Sequence, residues 1–335
     1  MTGFLKTLFA FLIFNLLLAF CFVSVYVFYY NIGFDDIPAP NLSDSYSYNE
    51  KMSFLRKAEN KQDIISIGSS MSLNNLHSET ITKRFGTESY MNLSSWGMSM
   101  KDVYLLFATQ SEIHMPKVLI IASGVMDFYE QDKTVKYEIL EDYLISEDIY
   151  QIYYHLSTFR LKYYIKNFKY AKKVRSCINE YEYLGFDAFG GVNLEGENFQ
   201  IDQTRWNSDY LGYDSIFSQQ YAYLDSISNF CASNKIDFLF FQSPYRQGLY
   251  SGLDEVKLTR LKKHFSDVQK IIDKYGHTFV KGQNIDWEDD LFIDGTHFNM
   301  EGAKLFSEYC FDEVETNLSL QEFLTLGVLH ERKTH

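Results

Sequence analysis

The sequence predicts an α/β domain built on a mostly parallel sheet, preceded by one membrane-spanning helix. Short apolar runs at 63–67 (DIISI), 118–122 (VLIIA) and 236–241 (IDFLFF) alternate with stretches of helical apolar spacing, and strands separated by helices give a parallel sheet covered on both faces. An uncharged run of 28 residues, Thr7 to Phe34, predicts the membrane helix.

That run would reach about 42 Å as a helix, against roughly 30 Å for a bilayer's hydrocarbon core. A cleavable signal has a shorter apolar core and a small-x-small site, whereas this run continues through VSVYVFYY; a lipoprotein reading of LLAFC meets bulky Phe20 before Cys21. Lys6 precedes the span and Asp35 and Asp36 follow it, so the positive-inside bias puts the N-terminus in the cytoplasm and the rest of the chain outside. Tyr26, Tyr29 and Tyr30 are expected at the outer interface. Residues 1–34 are read as the anchor. Residues 35–55, with two of the four prolines and many polar side chains, read as a tether.

The domain is expected over 56–320. Its first strand, 63–67, ends in Gly68, Ser69 and Ser70, with a helix after it; 88–93 is a second strand candidate and 98–109 a helix. The strand at 118–122 follows. Helical patterns at 215–234 and 253–275 flank the strand at 236–241, and Asn299 is placed to cap a helix beginning MEGAKLF. Two stretches break the alternation: an aromatic, helical one at 136–173 and one at 185–201 with the Gly and Asn spacing of a hairpin. Together they read as an insertion over about 136–206, and 321–335 reads as a tail.

Composition narrows the function. Hydrophobic residues make up 46% and charged residues 22%, with only 4 Pro and 18 Gly, which excludes disorder and collagen-like repeats. A net charge of -13 repels polyanions, so nucleic acid is not an expected partner. Arg160, Lys162, Lys166, Lys169, Lys172, Lys173 and Arg175 form a local exception with no acid between them; a solvated helix face or an anionic surface fits this pattern. Cys21, Cys177, Cys231 and Cys310 lack metal-site spacing and leave at most one disulfide in the soluble part. Neither metal nor cofactor is expected.

A serine lifted to the carboxyl edge of a parallel sheet can be a nucleophile if a base and an orienting group reach it, although Gly-Ser-Ser is also an ordinary turn. Asp294 and His297, three apart in DGTH, supply such a pair: a carboxylate on a tight loop can accept one ring N–H and leave the other nitrogen for a serine.

IGSSMSLNN, NLSSWGMSMKD, SGVMDF and DGTHFNMEGAKLF, in this order, resemble the four sequence blocks of the SGNH (GDSL-type) hydrolase superfamily. The resemblance covers roughly 62–315 and implies a flavodoxin-like three-layer sandwich. It implies Ser70 as nucleophile, His297 as base, Asp294 as orienting acid, and the N–H groups of Ser70 and Gly97 as oxyanion donors. Two positions depart from the pattern. Ser69 stands where the name-giving Asp usually does, and Met126 stands where an Asn would donate to the oxyanion, with a thioether that has no proton to give. Asn92, Ser123 and Asn74 are the candidate substitutes; Asp127 reads as a turn or capping residue.

Anchor, Gly-Ser-Ser block and missing Asn are similar to those of a narrower group, the extracytoplasmic SGNH proteins that accompany membrane-bound O-acyltransferases. The resemblance implies a serine acyltransferase or esterase acting on O-acyl groups, O-acetyl foremost, of a cell-surface polysaccharide, with the acylated polymer or an acyl donor, the bilayer and such a membrane acyltransferase as partners. The alternative is a catalytically degenerate domain serving as a binding or scaffold subunit of a glycan-modifying complex.

Overall fold

In the computed structural model the described residues are 2–29, 37–58, 61–129, 134–147, 150–178, 180–196, 203–211 and 218–317. Contacts divide the chain into one unit of Met1–Pro38 with Leu161–Lys172, and a second of Ala39–Arg160 with Lys173–His335.

The first unit holds α1 (Thr2–Tyr29), apolar along nearly its whole length and exposed throughout Gly3–Val25. Among the described residues it is the one helix long and apolar enough to cross a membrane. The expected interfacial Tyr30 and the side chains of Tyr26 and Tyr29 lie outside what is described.

The second unit begins with α2 (Tyr46–Lys57) and then alternates: β1 (Ile64–Ser66), α3 (Ser70–Asn75), α4 (Ser78–Phe85), β2 (Tyr90–Asn92), α5 (Met100–Ile113) and β3 (Val118–Ser123). After a 3-10 turn at Val125–Phe128 come α6 (Leu140–Ile145), α7 (Gln151–Ser157), α8 (Leu161–Ser176), which runs across the unit boundary, and α9 (Gln203–Trp206). The chain ends with α10 (Ser218–Asn234), β4 (Asp237–Gln242), α11 (Gln247–Ser251), α12 (Glu255–Lys274), β5 (Thr278–Val280) and α13 (Met300–Asn317).

The five strands are all parallel, in the order β2-β1-β3-β4-β5. This is the flavodoxin-like order 2-1-3-4-5, in which the connections leaving β1 and β3 run to opposite sides, the switch point at which such sheets bind ligands. Period-2 alternation sends Ile65, Leu119, Ile121, Phe238 and Phe240 to one face, where they meet Val103, Phe107, Leu224 and Val268 of α5, α10 and α12. Ile64, Ile120, Ala122, Leu239 and Phe241 go to the other, against Ile81, Phe85, Phe306 and Phe311 of α4 and α13. Both faces are covered, which makes three layers.

Three expectations need correcting. Residues 39–55 are no tether: Asn41 N–H donates to Thr158 Oγ1 (3.1 Å), Glu50 accepts from Arg175 Nε (2.8 Å), and buried Lys51 donates to the carbonyls of Asn92 (3.0 Å) and Gly190. Of the polar side chains that make this stretch read as solvated linker, Ser43 and Asn49 tie to each other's segment, while Asn41, Glu50 and Lys51 find partners far away in sequence. Burial lowers the Lys51 ammonium to about 7, partly offset by the Asp187 charge. The expected hairpin at 185–201 contains no strand among its described residues. Its glycines serve an Asx turn instead, with Asp187 Oδ1 accepting from Phe189 and Gly191 N–H (both 2.8 Å). The fifth strand, β5, was not expected at all. Finally, all four cysteines are unpaired, and the tail at 321–335 lies outside the described residues.

Candidate active site

β1 ends beside β3, and the chain turns sharply into α3. Gly68 is required here because a Cβ on it would fall 2.3 Å from Ser72 Oγ. That hydroxyl bridges to β3, donating to Ala122 O and accepting from Ala122 N–H, both at 2.8 Å. Ser69 caps α3 by accepting from Met71 N–H (3.1 Å), and Ser70 becomes its first residue, half-buried at the carboxyl edge of the sheet.

The loop before α13 supplies the other half. Asp294 Oδ1 accepts from the N–H groups of Thr296 (2.8 Å) and His297 (2.7 Å), which winds 294–297 into a tight turn. Its second oxygen, Oδ2, lies 2.8 Å from His297 Nδ1, and His297 Nε2 lies 2.8 Å from Ser70 Oγ. An ionised carboxylate only accepts, so in the neutral imidazole Nδ1 carries the proton and Nε2 is left to accept from the serine hydroxyl. Asp294 and His297 are buried. Burial alone would raise the Asp294 carboxyl, but the His297 charge, its ring N–H and two backbone donors hold it below the ordinary carboxylate range.

One buried side chain joins the two halves. Asn75, at the end of the same short helix that begins with Ser70, donates to Thr296 O (3.0 Å) and accepts from Phe298 N–H (3.0 Å). It therefore grips the peptide groups on either side of His297. Asn75→Ala would strand a buried carbonyl and a buried N–H. Each such group costs about 1–3 kcal/mol, so the variant should lose on the order of 2–6 kcal/mol in chemical denaturation.

Aromatic side chains wall the histidine. Trp96 lies 5.5 Å from the His297 ring and Tyr181 packs against it edge-on at 5.7 Å, with Tyr181 OH 3.3 Å from Nδ1. Asp294 is nearer to Nδ1 and charged, so it holds the Nδ1 proton. Burial and the Asp294 charge keep the Tyr181 phenol well above its ordinary value, against the Arg205 guanidinium stacked 3.7 Å over its ring. Tyr181 is thus a neutral edge to the site.

Gly97 lies in the turn after β2 at φ 64°, a left-handed conformation that favours glycine. The proposed substitutes for the missing Asn are committed elsewhere. Asn92 Nδ2 donates to Ser72 O (2.9 Å), Asn74 Nδ2 to Val192 O (2.8 Å), and Ser123 Oγ to Asp127 Oδ2 (2.7 Å). Met126 packs against an apolar cluster that includes Val125, Tyr129 and Leu249. Asp127 also accepts from Gly124 N–H (3.2 Å), closing the 3-10 turn. Its burial pushes the carboxyl up to about 6, against hydrogen bonds from Ser69, Ser123 and Gly124. Asn75, Trp96, Tyr181 and Arg205 were not singled out in the sequence. Asn75 and Trp96 stood inside motifs already recognised, but nothing in the spacing pointed to Tyr181 or Arg205. A groove of about 560 Å³ lined by His77, Thr80, Arg84 and Lys304 contains none of Ser70, Asp294 and His297.

No protein-family model and no curated protein matches the chain. Solved structures that overlap it include a GDSL-like lipase from Bacteroides thetaiotaomicron (10% identical, TM-score 0.40, covering 81% of this chain and 98% of that one). An α/β hydrolase enzyme from the metagenome of Lake Arreo, Spain, is 12% identical with a TM-score of 0.39, over 82% and 99%. A carbohydrate acetylesterase from Sinorhizobium meliloti is 12% identical with a TM-score of 0.34, over 77% and 100%. Overlaps this distant carry no conclusion about activity; the chain's own geometry does.

Proposed function

We propose that this protein is a serine-dependent acyl-transfer enzyme of SGNH type, an esterase or an O-acyltransferase, acting on O-acyl groups of a cell-surface polysaccharide. The observation that carries the reading is the unbroken chain from Ser70 Oγ through both ring nitrogens of His297 to Asp294, at 2.8 Å per link. His297 Nε2 takes the hydroxyl proton as Ser70 Oγ attacks the acyl carbonyl, and Asp294 stabilises the imidazolium formed. The N–H groups of Ser70 and Gly97 are the proposed oxyanion donors. His297 then returns its proton to the departing alcohol oxygen, leaving an acyl-Ser70 ester. Water completes an esterase cycle; a polymer hydroxyl completes a transferase cycle.

The membrane-length α1 supports an anchored protein, with Lys6 near its N-terminal end and Asp35 and Asp36 beyond its C-terminal end favouring a catalytic domain outside the cytoplasm. Such a tether raises the effective concentration of the domain near a membrane-borne acyl donor, and a membrane-bound O-acyltransferase is the partner of that chemistry.

Met126 favours a second reading, a degenerate domain that binds acylated glycan without turning it over. Loss of one oxyanion donor commonly costs about 2.7–4 kcal/mol of transition-state stabilisation, and the three nearby polar substitutes are already engaged. A fluorophosphonate probe separates the two. The enzyme should be labelled at Ser70 and Ser70→Ala should not; a folded protein that resists the probe, or equal labelling of Ser70→Ala, would leave only the binding reading.

A further inference from the structure

A second cavity opens on the same carboxyl edge of the sheet as Ser70, at the ends of β4 and β5. It holds about 360 Å³, within the roughly 300–1,000 Å³ usual for small-molecule sites. Period-2 alternation along β4 puts Gln242 on the face of Phe238 and Phe240, the face that α12 covers. An apolar side chain would suit that position. Gln242 instead brings a carboxamide that is only 7% exposed, lines the cavity, and makes no hydrogen bond among the described residues. A buried amide without a partner is destabilising, and a ligand that both donates and accepts would satisfy it.

α12 adds Lys262, Ser266 and Gln269 at i, i+4 and i+7, on one helix face. None of these three side chains has a hydrogen-bond or ion-pair partner among the described residues. The adjoining face differs, for there Asp267 pairs with both Lys263 and Lys270. Lys281, in the turn after β5, is exposed, and its ammonium is equally uncommitted. Rings complete the lining: half-buried Tyr250 of α11 and Phe279 of β5, with buried Phe265. Among the described lining residues there is no carboxylate, although acids outnumber bases 44 to 31 in the chain.

The cavity adjoins the catalytic loop through α11. That helix carries Tyr250 on the cavity and, one residue earlier, Leu249 against the loop: a Cβ on Gly295 would fall 2.7 Å from Leu249 Cδ2. Arg246 N–H donates to Gly295 O (3.2 Å), and Gln283, in the cavity wall, accepts from Tyr245 N–H (2.7 Å). One short helix thus separates the cavity from DGTH.

We propose that this cavity is a saccharide subsite for an acidic glycan. The aromatic faces take the C–H face of a pyranose ring, the carboxamides of Gln242 and Gln269 pair with its hydroxyls as donor and acceptor, and Lys262 and Lys281 meet a carboxylate or a phosphate. A polymer engaged at Ser70 continues past α11 into the cavity, so the unit bound here is not the acylated one. The inference rests on the glycan part of the function proposed above and holds whether or not Ser70 turns over.

The test uses the full chain in phosphatidylcholine nanodiscs and saturation-transfer NMR. A galacturonate pentamer is the carboxylate probe and a mannose pentamer bearing one 6-phosphate the phosphate probe, each compared with its uncharged counterpart. At least one charged oligomer should bind roughly tenfold more tightly than its counterpart, and which one does so identifies the anion. Tyr250→Ala and Gln242→Met should each weaken that binding roughly tenfold. Lys262→Gln with Lys281→Gln should abolish the preference for charge; both lysines are exposed, so this result does not depend on packing, and circular dichroism melts check the fold of the other two variants. Binding that survives all these changes but disappears once Ser70 carries a fluorophosphonate would place the oligomer at the triad and overturn the inference. No binding of any oligomer, equal affinity for charged and uncharged ones, or equally tight binding of pentaglutamate, the mark of charge alone, would overturn it too. Ser70 labelling without oligomer binding spares the catalytic reading. Oligomer binding that the variants abolish, in a protein whose Ser70 resists the probe, sustains this inference and sinks the catalytic one.

Discussion

Alanine at His297 should lower the rate of Ser70 acylation on the order of 10⁵- to 10⁶-fold, the scale found when a serine enzyme loses its base. The cause is geometric. Nε2 at 2.8 Å is the one titratable acceptor found on Ser70 Oγ among the described hydrogen bonds, and a serine hydroxyl without a base is a weak nucleophile at neutral pH. Ser70→Ala should be as severe, and the double variant should be no worse than either single one, because the two side chains act as one unit. Burst kinetics with an activated acetyl ester, alongside circular dichroism to show that each variant is folded, make the measurement. Losses that multiply in the double variant would mean that Ser70 is served by another base.

Asp294→Asn should retain the fold and lower acylation by roughly 10⁴-fold. The Asn oxygen can still accept from Thr296 and His297 N–H and so keep the turn, as Asp294 Oδ1 does now. Its amide, however, would donate to Nδ1, which forces the ring proton onto Nε2, where it blocks acceptance from Ser70. Stability should carry a separate acid signature. Because the folded carboxyl of Asp294 lies below its ordinary value, its contribution is fully present above the unfolded value near 4 and is lost as pH falls through the depressed folded one. Denaturation midpoints between neutral pH and strong acid should therefore fall less steeply for Asp294→Asn than for the parent. An Asn variant with near-parent acylation would reduce DGTH to a structural turn.

The sheet was largely legible in advance because a parallel strand buried on both faces must be apolar on both, and 118–123 and 237–242 are nearly continuous apolar runs. β5 escaped because it is three residues long, lies at the sheet edge and is only partly buried, so no apolar run marks it. The 39–55 segment departs from its sequence signal for the opposite reason. Serine, asparagine and proline there signal solvated chain, but Asn49 ties back to Ser43, and the distant Thr158, Arg175 and Gly190 take up Asn41, Glu50 and Lys51.

At the site, sequence alone determined what is local: the tight turn into Ser70, and the three-residue spacing that lets one Asp294 oxygen wind the loop while the other meets the imidazole. Turn chemistry operates over a few residues and leaves its mark in residue types. Tertiary structure alone decided that this loop, 227 residues further along, comes to the serine; that Asn75 clamps it there; that Trp96 and Tyr181 flank the histidine, with Arg205 stacked on Tyr181; and that Asn92 and Asn74 are already committed. Each of these depends on hydrogen bonds and ring contacts between segments that become neighbours only when the parallel sheet brings the carboxyl ends of its strands to one edge.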